Sequence, residues 1–175
     1  SGCPPASVRE THWHAVERSK WGGLNIPRVD EWRMARRSVL FSPGDRPELM
    51  RKAPATGADV VVFDLEDAVA PARKAEARDA VADVLADDAF DPDCEVVVRV
   101  NPVADDDDAD GGTEATATAS ADVDALERVL EVGRLDAFML PKCASADDVR
   151  SFDYLFPRDT PPVFALVESA GGVLH

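Results

Sequence analysis

The chain has 175 residues, 45% of them hydrophobic, which is enough for one sizeable core and too few for two full domains. Its net charge of −15 excludes nucleic acid and anionic membranes as natural partners, because surfaces of that sign repel it. No apolar stretch approaches the roughly 20 residues that span a bilayer, and the N-terminus lacks the charged-then-apolar order of a signal peptide, so a soluble protein is expected; the cysteine usage fits a reducing cytoplasm.

Residues 1–33 stand apart in composition. They hold all three tryptophans (Trp13, Trp21 and Trp32), and their charges nearly cancel, with five Lys/Arg against four Asp/Glu. From Met34 onward there are 14 basic and 30 acidic residues, and MARRSVLF reads as a natural start. The expectation is an appended or mis-translated segment over 1–33 and a catalytic domain over 34–175. His12 and His14 lie in a weakly patterned stretch and receive no role.

After Met34, short apolar runs alternate with segments of helical period, the order of parallel βα units. The first run, 38–43 (SVLFSP), is followed by DRPELMRKA, where Asp45 and Glu48 suggest a capping box. The second, 60–66 (VVVFDLE), leads to ARKAEARDAVADVLA, a strong helix former with Ala, Val and Leu on one stripe. The third, 95–100 (EVVVRV), precedes an Asp105–Asp108 run, Gly111-Gly112 and an Ala/Thr-rich stretch; over 103–121 these suggest a solvated insertion, because consecutive carboxylates repel and lack ligand geometry. A helix is expected near 122–133. Strands at 137–142 (AFMLPK) and 163–168 (VFALVE) flank a helix at 145–155, and VESAGGVLH breaks off where a further helix begins.

Cys3, Cys94 and Cys143 are odd in number, widely spaced and form no C-x-x-C, so neither a disulfide framework nor a zinc knuckle is indicated. Only 4 of the 19 basic residues are Lys, a balance that suggests a salt-adapted surface.

The strand ends carry the chemistry. Parallel α/β folds place catalytic groups at the carboxyl ends of their strands. Here those ends read Ser42-Pro43-Gly44-Asp45-Arg46, Asp64-Leu65-Glu66-Asp67, Arg99-Val100-Asn101-Pro102, Pro141-Lys142 and Glu168-Ser169. Apolar strand bodies with ionisable tips point to one functional rim. Glu66 and Glu168 offer the oxygen ligands that a hard divalent ion such as Mg²⁺ prefers, and Arg99 is a planar fork suited to a two-point grip on a substrate carboxylate or, taken alone, to a rim ion pair. Asp67 is equally suited to capping the next helix. Cys143 reads as a packing residue, with no His nearby to activate it.

The blocks RRSVLFSPGDRPELM, ADVVVFDLEDAVAP, VVVRVNP, DAFMLPKCASADDV and VFALVESAGGVL, in this order, resemble the citrate lyase β-subunit-like family, which includes malyl-CoA, β-methylmalyl-CoA and citramalyl-CoA lyases. The resemblance runs from Arg36 to the last residue. It implies a (β/α)₈ barrel of roughly 250 residues, of which this chain would hold the first five βα units with the C-terminal part missing. It further implies Mg²⁺-dependent carbon–carbon cleavage, with Mn²⁺ as the alternative ion, on CoA thioesters and small oxo acids, in a homo-oligomer. On the family pattern Arg99 binds the carboxylate of the oxo-acid fragment, Glu168 is a metal ligand, and Glu66 and Asp67 are the acidic pair beside the metal. A second direct ligand, an Asp after the next strand, would lie beyond His175. Asp67 is a candidate general base by place, and Arg46 a candidate for CoA phosphate at a helix N-terminus.

The expected reaction is cleavage of malyl-CoA or β-methylmalyl-CoA to glyoxylate and acetyl-CoA or propionyl-CoA, or its reverse, by a complete protein; the chain alone is expected to be inactive. The alternatives are a citrate lyase β subunit producing oxaloacetate from a citryl thioester, a citramalyl-CoA lyase, and a non-catalytic fragment. A dihydroxyheptanedioate-type aldolase fits less well, since it carries Glu-His where this chain has Glu66-Asp67.

Overall fold

In the computed structural model, the residues described are 36–104, 113–130, 134–157 and 161–174. The expectations for 1–33, for His12, His14 and Cys3, and for the Asp105–Asp108 run lie outside them. Five strands, β1 (Val39–Pro43), β2 (Val60–Asp64), β3 (Glu95–Arg99), β4 (Ala137–Leu140) and β5 (Val163–Ala165), form one parallel sheet in sequential order. Helices alternate with them: α1 (Pro47–Lys52), α2 (Lys74–Ala86), α3 (Thr113–Leu130), α4 (Ala146–Asp153) and α5 (Ala170–Leu174). This is the partial TIM-barrel-like α/β fold that the alternation predicts. None of the described helices is long and apolar enough to cross a membrane.

Strand periodicity sorts the core into two layers. Val61, Phe63, Leu65, Val96, Val98, Val100, Phe138 and Leu140 pack with α2 and α3 residues such as Val81, Leu85, Val123 and Leu126. The alternate positions Val60, Val62, Val97, Ala137 and Met139 make a second cluster on the opposite face. Asp64 and Arg99 continue the parity of that second face, and they are register partners at the ends of β2 and β3. The same alternation that buries valines therefore brings a carboxylate and a guanidinium side by side.

Two local expectations are corrected. Asp45 does not cap α1: the residue before the helix is Arg46, which makes no side-chain cap, and the Asp45 carboxylate instead pairs with Arg73 and, at 3.8 Å, with Arg46. A capping box does exist at α4, where Ser145 Oγ accepts from Asp147 N at 3.1 Å and the Asp148 carboxylate accepts from Ser145 N at 2.7 Å. The Ala/Thr-rich part of the supposed insertion is helical from Thr113, because Ala115, Ala119, Val123 and Leu126 fall at helical spacing and are buried.

Gly44 closes the rim between β1 and β2. Its N–H donates to the Asp64 carbonyl at 2.9 Å, and a Cβ at this position would sit 2.8 Å from that oxygen and 3.0 Å from Leu65 Cδ2. Gly44→Ala is expected to destabilise the full-length protein by about 1–3 kcal/mol through this backbone clash. Urea denaturation checks it; a change within about 0.5 kcal/mol would mean the rim yields freely.

Candidate active site

The carboxyl ends of β2 and β3 are joined by a buried ion pair. Asp64, 1% exposed, accepts from Arg99 Nε at 2.8 Å and Nη2 at 2.6 Å, and also from the backbone N–H groups of Glu66 at 2.8 Å and Ala68 at 3.0 Å. Four donors thus meet the hydrogen-bonding capacity of this buried carboxylate. The two-point grip expected of Arg99 toward a substrate is made with Asp64 instead. What remains for the rim is Nη1, which lies 2.9 Å from Glu66 Oε2 and 3.9 Å from Asp67 Oδ2. The guanidinium also stacks over Phe41 at 5.1 Å. Burial works against its charge, and Asp64, Glu66 and Asp67 together more than offset that.

Glu66 is the least satisfied group in the cluster. It is 5% exposed, yet neither carboxylate oxygen accepts a hydrogen bond, since the approach of Arg99 Nη1 is close but poorly aligned. Burial pushes its pKa above the usual carboxylate range, with Asp67 and Glu168 adding to the rise and Arg99 and Lys142 opposing it. Glu168 is exposed, and its Oε1 accepts from the backbone N–H of Lys142 at 2.9 Å. The Lys142 ammonium lies 3.7 Å from Glu66 Oε1. Glu66, Glu168, Arg99 and Asp67 are therefore gathered around one rim, as the strand tips suggest.

Arg46 is not brought into this cluster. Its half-exposed side chain pairs with Asp45 beside a helix of only six residues. Asp67 is 77% exposed and stands at the solvent side of Arg99. Cys143 is buried in the core, and burial followed by Asp148 pushes its thiol up to about 11, in keeping with a packing role.

A further network, unforeseen in the sequence, supports the rim from below. Lys74 Nζ donates to the carbonyls of Leu65 at 2.5 Å and Glu66 at 2.6 Å and to Asn101 Oδ1 at 2.8 Å, which uses all three of its hydrogens. Burial lowers its pKa. Asn101 in turn donates through N and Nδ2 to Asp122 Oδ2, both at 2.7 Å, and Arg78 Nε meets the other Asp122 oxygen at 2.6 Å. The signal available in the sequence was Lys74 in the first turn of α2; its partners come from β2, β3 and α3, and only the fold unites them. Glu66, Asp67, Lys74, Arg78, Asn101 and Lys142 are among the residues lining a cavity of 620 Å³ that opens beside the rim.

The donor set suits a hard divalent cation: two carboxylates from separate strand ends, one of them buried with both oxygens free of hydrogen bonds. Among the described residues no group of three or more metal-ligating side chains converges.

Comparison with known proteins gives the following. The HpcH/HpaI aldolase/citrate lyase family matches residues 37–175. A citrate lyase subunit beta-like protein of Mycobacterium tuberculosis is 43% identical over 135 residues, covering 77% of this chain and 40% of the relative. An L-malyl-CoA/beta-methylmalyl-CoA lyase of Cereibacter sphaeroides is 35% identical over 148 residues, covering 79% and 42%. Among solved structures, the citrate lyase beta subunit of M. tuberculosis complexed with oxaloacetate and magnesium aligns with a TM-score of 0.56 at 39% identity, over 81% of this chain and 52% of that one. The chain spans about two fifths of the length of these curated relatives.

The raised pKa of Glu66 sets a pH dependence. The folded state holds this proton more tightly than the unfolded one, so the contribution to stability is full below about pH 4.3 and is lost as pH rises through the folded value. Glu66→Gln removes this loss. The variant is expected to be at least as stable as wild type above about pH 4.3, with a flatter profile as pH rises from there, read by thermal denaturation across a pH series. A variant markedly less stable at pH 7 would show that pairing with Arg99 outweighs burial.

Proposed function

Because the chain belongs to the HpcH/HpaI aldolase/citrate lyase family, we propose that it serves a magnesium-dependent carbon–carbon lyase acting on CoA thioesters, which cleaves malyl-CoA or β-methylmalyl-CoA to glyoxylate and acetyl-CoA or propionyl-CoA, or runs the reverse condensation. The observation that carries this reading is the buried Glu66 carboxylate, which accepts no hydrogen bond, pairs with Arg99 Nη1 at 2.9 Å and shares the rim with the exposed Glu168. The similarity to the Cereibacter lyase supports the malyl substrate.

Glu66 and Glu168 would hold the ion. Magnesium bound there would supply Lewis-acid stabilisation of the negative charge that develops as the carbon–carbon bond breaks. Arg99, fixed along one edge by Asp64, directs Nη1 at the carboxylate of the oxo-acid end and orients the breaking bond. Asp67, exposed beside that guanidinium, is assigned the proton transfer at the hydroxyl by its place. Lys74 and Asn101 hold the Leu65–Glu66 backbone so that the Glu66 carboxylate stays aimed at the rim.

A second reading, citryl thioester cleavage to oxaloacetate, is favoured by the M. tuberculosis relative whose structure holds oxaloacetate and magnesium. Glyoxylate and oxaloacetate are both 2-oxo acids, and the rim groups named here would treat their shared carboxylate alike. They differ at the oxo carbon, which bears a hydrogen in glyoxylate and a charged carboxymethyl group in oxaloacetate; among malyl-, β-methylmalyl- and citramalyl-CoA the difference is one methyl group, which pocket contacts discriminate by only roughly 1–3 kcal/mol.

The test is glyoxylate release from malyl-CoA by the full-length protein in high KCl. Activity is expected to vanish with EDTA and return with Mg²⁺. Arg99→Lys is expected to lower kcat/KM about 100-fold or more, because one ammonium cannot serve Asp64 and the substrate together. Near-normal kcat/KM in this variant would overturn the assignment of Arg99, and oxaloacetate release from a citryl thioester with none from malyl-CoA would favour the second reading.

A further inference from the structure

Lys142 has a backbone conformation that its residue type does not favour. With φ +54 it is the one non-glycine residue of positive φ among those described. Glycine adopts this region freely, whereas a side chain strains it, and such strain persists only where the surroundings impose it. Two contacts accompany the turn. The Lys142 N–H donates to Glu168 Oε1 at 2.9 Å, and the side chain leaves toward Glu66, placing Nζ 3.7 Å from Oε1.

The second contact is an ion pair that leaves the Glu66 oxygens without a hydrogen bond. Lys74 offers the contrast: its ammonium spends every hydrogen on fixed acceptors and serves as a structural bolt. The Lys142 side chain is 39% exposed, lines the cavity beside the rim and, among the described residues, makes no comparably saturating set of bonds. It balances the charge of Glu66 while leaving its lone pairs available.

We propose that Lys142 is a resident counter-cation of the Glu66–Glu168 pair: its backbone fixes one carboxylate, its ammonium joins Arg99 in balancing the charge of the other, and that ammonium competes with the divalent ion. This rests on the reading of Glu66 and Glu168 as the metal site. The role is one of positioning and charge balance. An ammonium beside a dication opposes its binding, so deleting the charge is expected to strengthen cation binding, whereas deleting a mere scaffold would leave it unchanged or weaken it.

The experiment measures Mn²⁺ affinity of the full-length protein by electron paramagnetic resonance at fixed ionic strength, for wild type, Lys142→Arg, Lys142→Met and Lys142→Gly. Lys142→Arg is expected to stay within about twofold of wild type, and the two neutral variants to bind about 3- to 10-fold more tightly. Lys142→Gly suits the positive φ, so it carries the test if the Met variant folds poorly. Wild-type binding with unchanged or weakened affinity in the neutral variants would overturn this inference alone. No Mn²⁺ binding by the wild type would overturn the metal reading and this inference with it.

Discussion

Asp64 and Arg99 face each other because β2 and β3 run parallel in a register that makes them partners at the strand ends. A buried carboxylate and guanidinium together are costly unless their remaining hydrogen-bonding capacity is met. Here the Asp64 carboxylate takes two bonds from Arg99 and two from the backbone of the following turn. The turn that carries Glu66 and Asp67 is thereby wrapped around the same carboxylate. Backbone bonds from Gly44 N to Asp64 O and from Leu65 N to Arg99 O extend the brace across β1, β2 and β3. The Glu66–Asp67 turn is placed relative to this pair.

The second brace runs through Lys74, Asn101, Asp122 and Arg78, and it ties the β2 and β3 tips to α2 and α3. In a chain of net charge −15 with four lysines, two of those lysines, Lys74 and Lys142, stand within reach of Glu66. Cations are thus concentrated beside the buried carboxylates of the rim. Lys74 has its hydrogens committed to two backbone carbonyls and Asn101 Oδ1, whereas the Lys142 ammonium faces a carboxylate at the rim, which separates support from the ion-pairing surface.

Much of this was legible in the residues. Apolar runs such as VVVFD and EVVVR mark strands covered on both faces, and their polar tips mark the rim, so the fold and the grouping of Glu66, Arg99 and Glu168 follow from pattern. The pairing of Asp64 with Arg99 does not, because it depends on a register between residues 35 positions apart. The onset of α3 was hidden by composition: the acidic run before it reads as solvated, and the buried stripe of Ala115 and Ala119 is made of small residues that give a weak signal. Asp45 looked like a cap by spacing, but Arg73 on the neighbouring turn competes for its carboxylate. Nothing in the residue type announces the left-handed backbone of Lys142, where Gly or Asn would have been the usual sign.

Asp64 holds Arg99, and the β2–β3 part of the rim is built on their bond. A double-mutant cycle in the full-length protein, with Asp64→Ala, Arg99→Ala and the pair combined, measures it by urea denaturation. A coupling of about 2 kcal/mol or more is predicted, with the double variant more stable than the sum of the single losses implies. Additive losses within about 0.5 kcal/mol would contradict it and would mean that each residue is held by other partners.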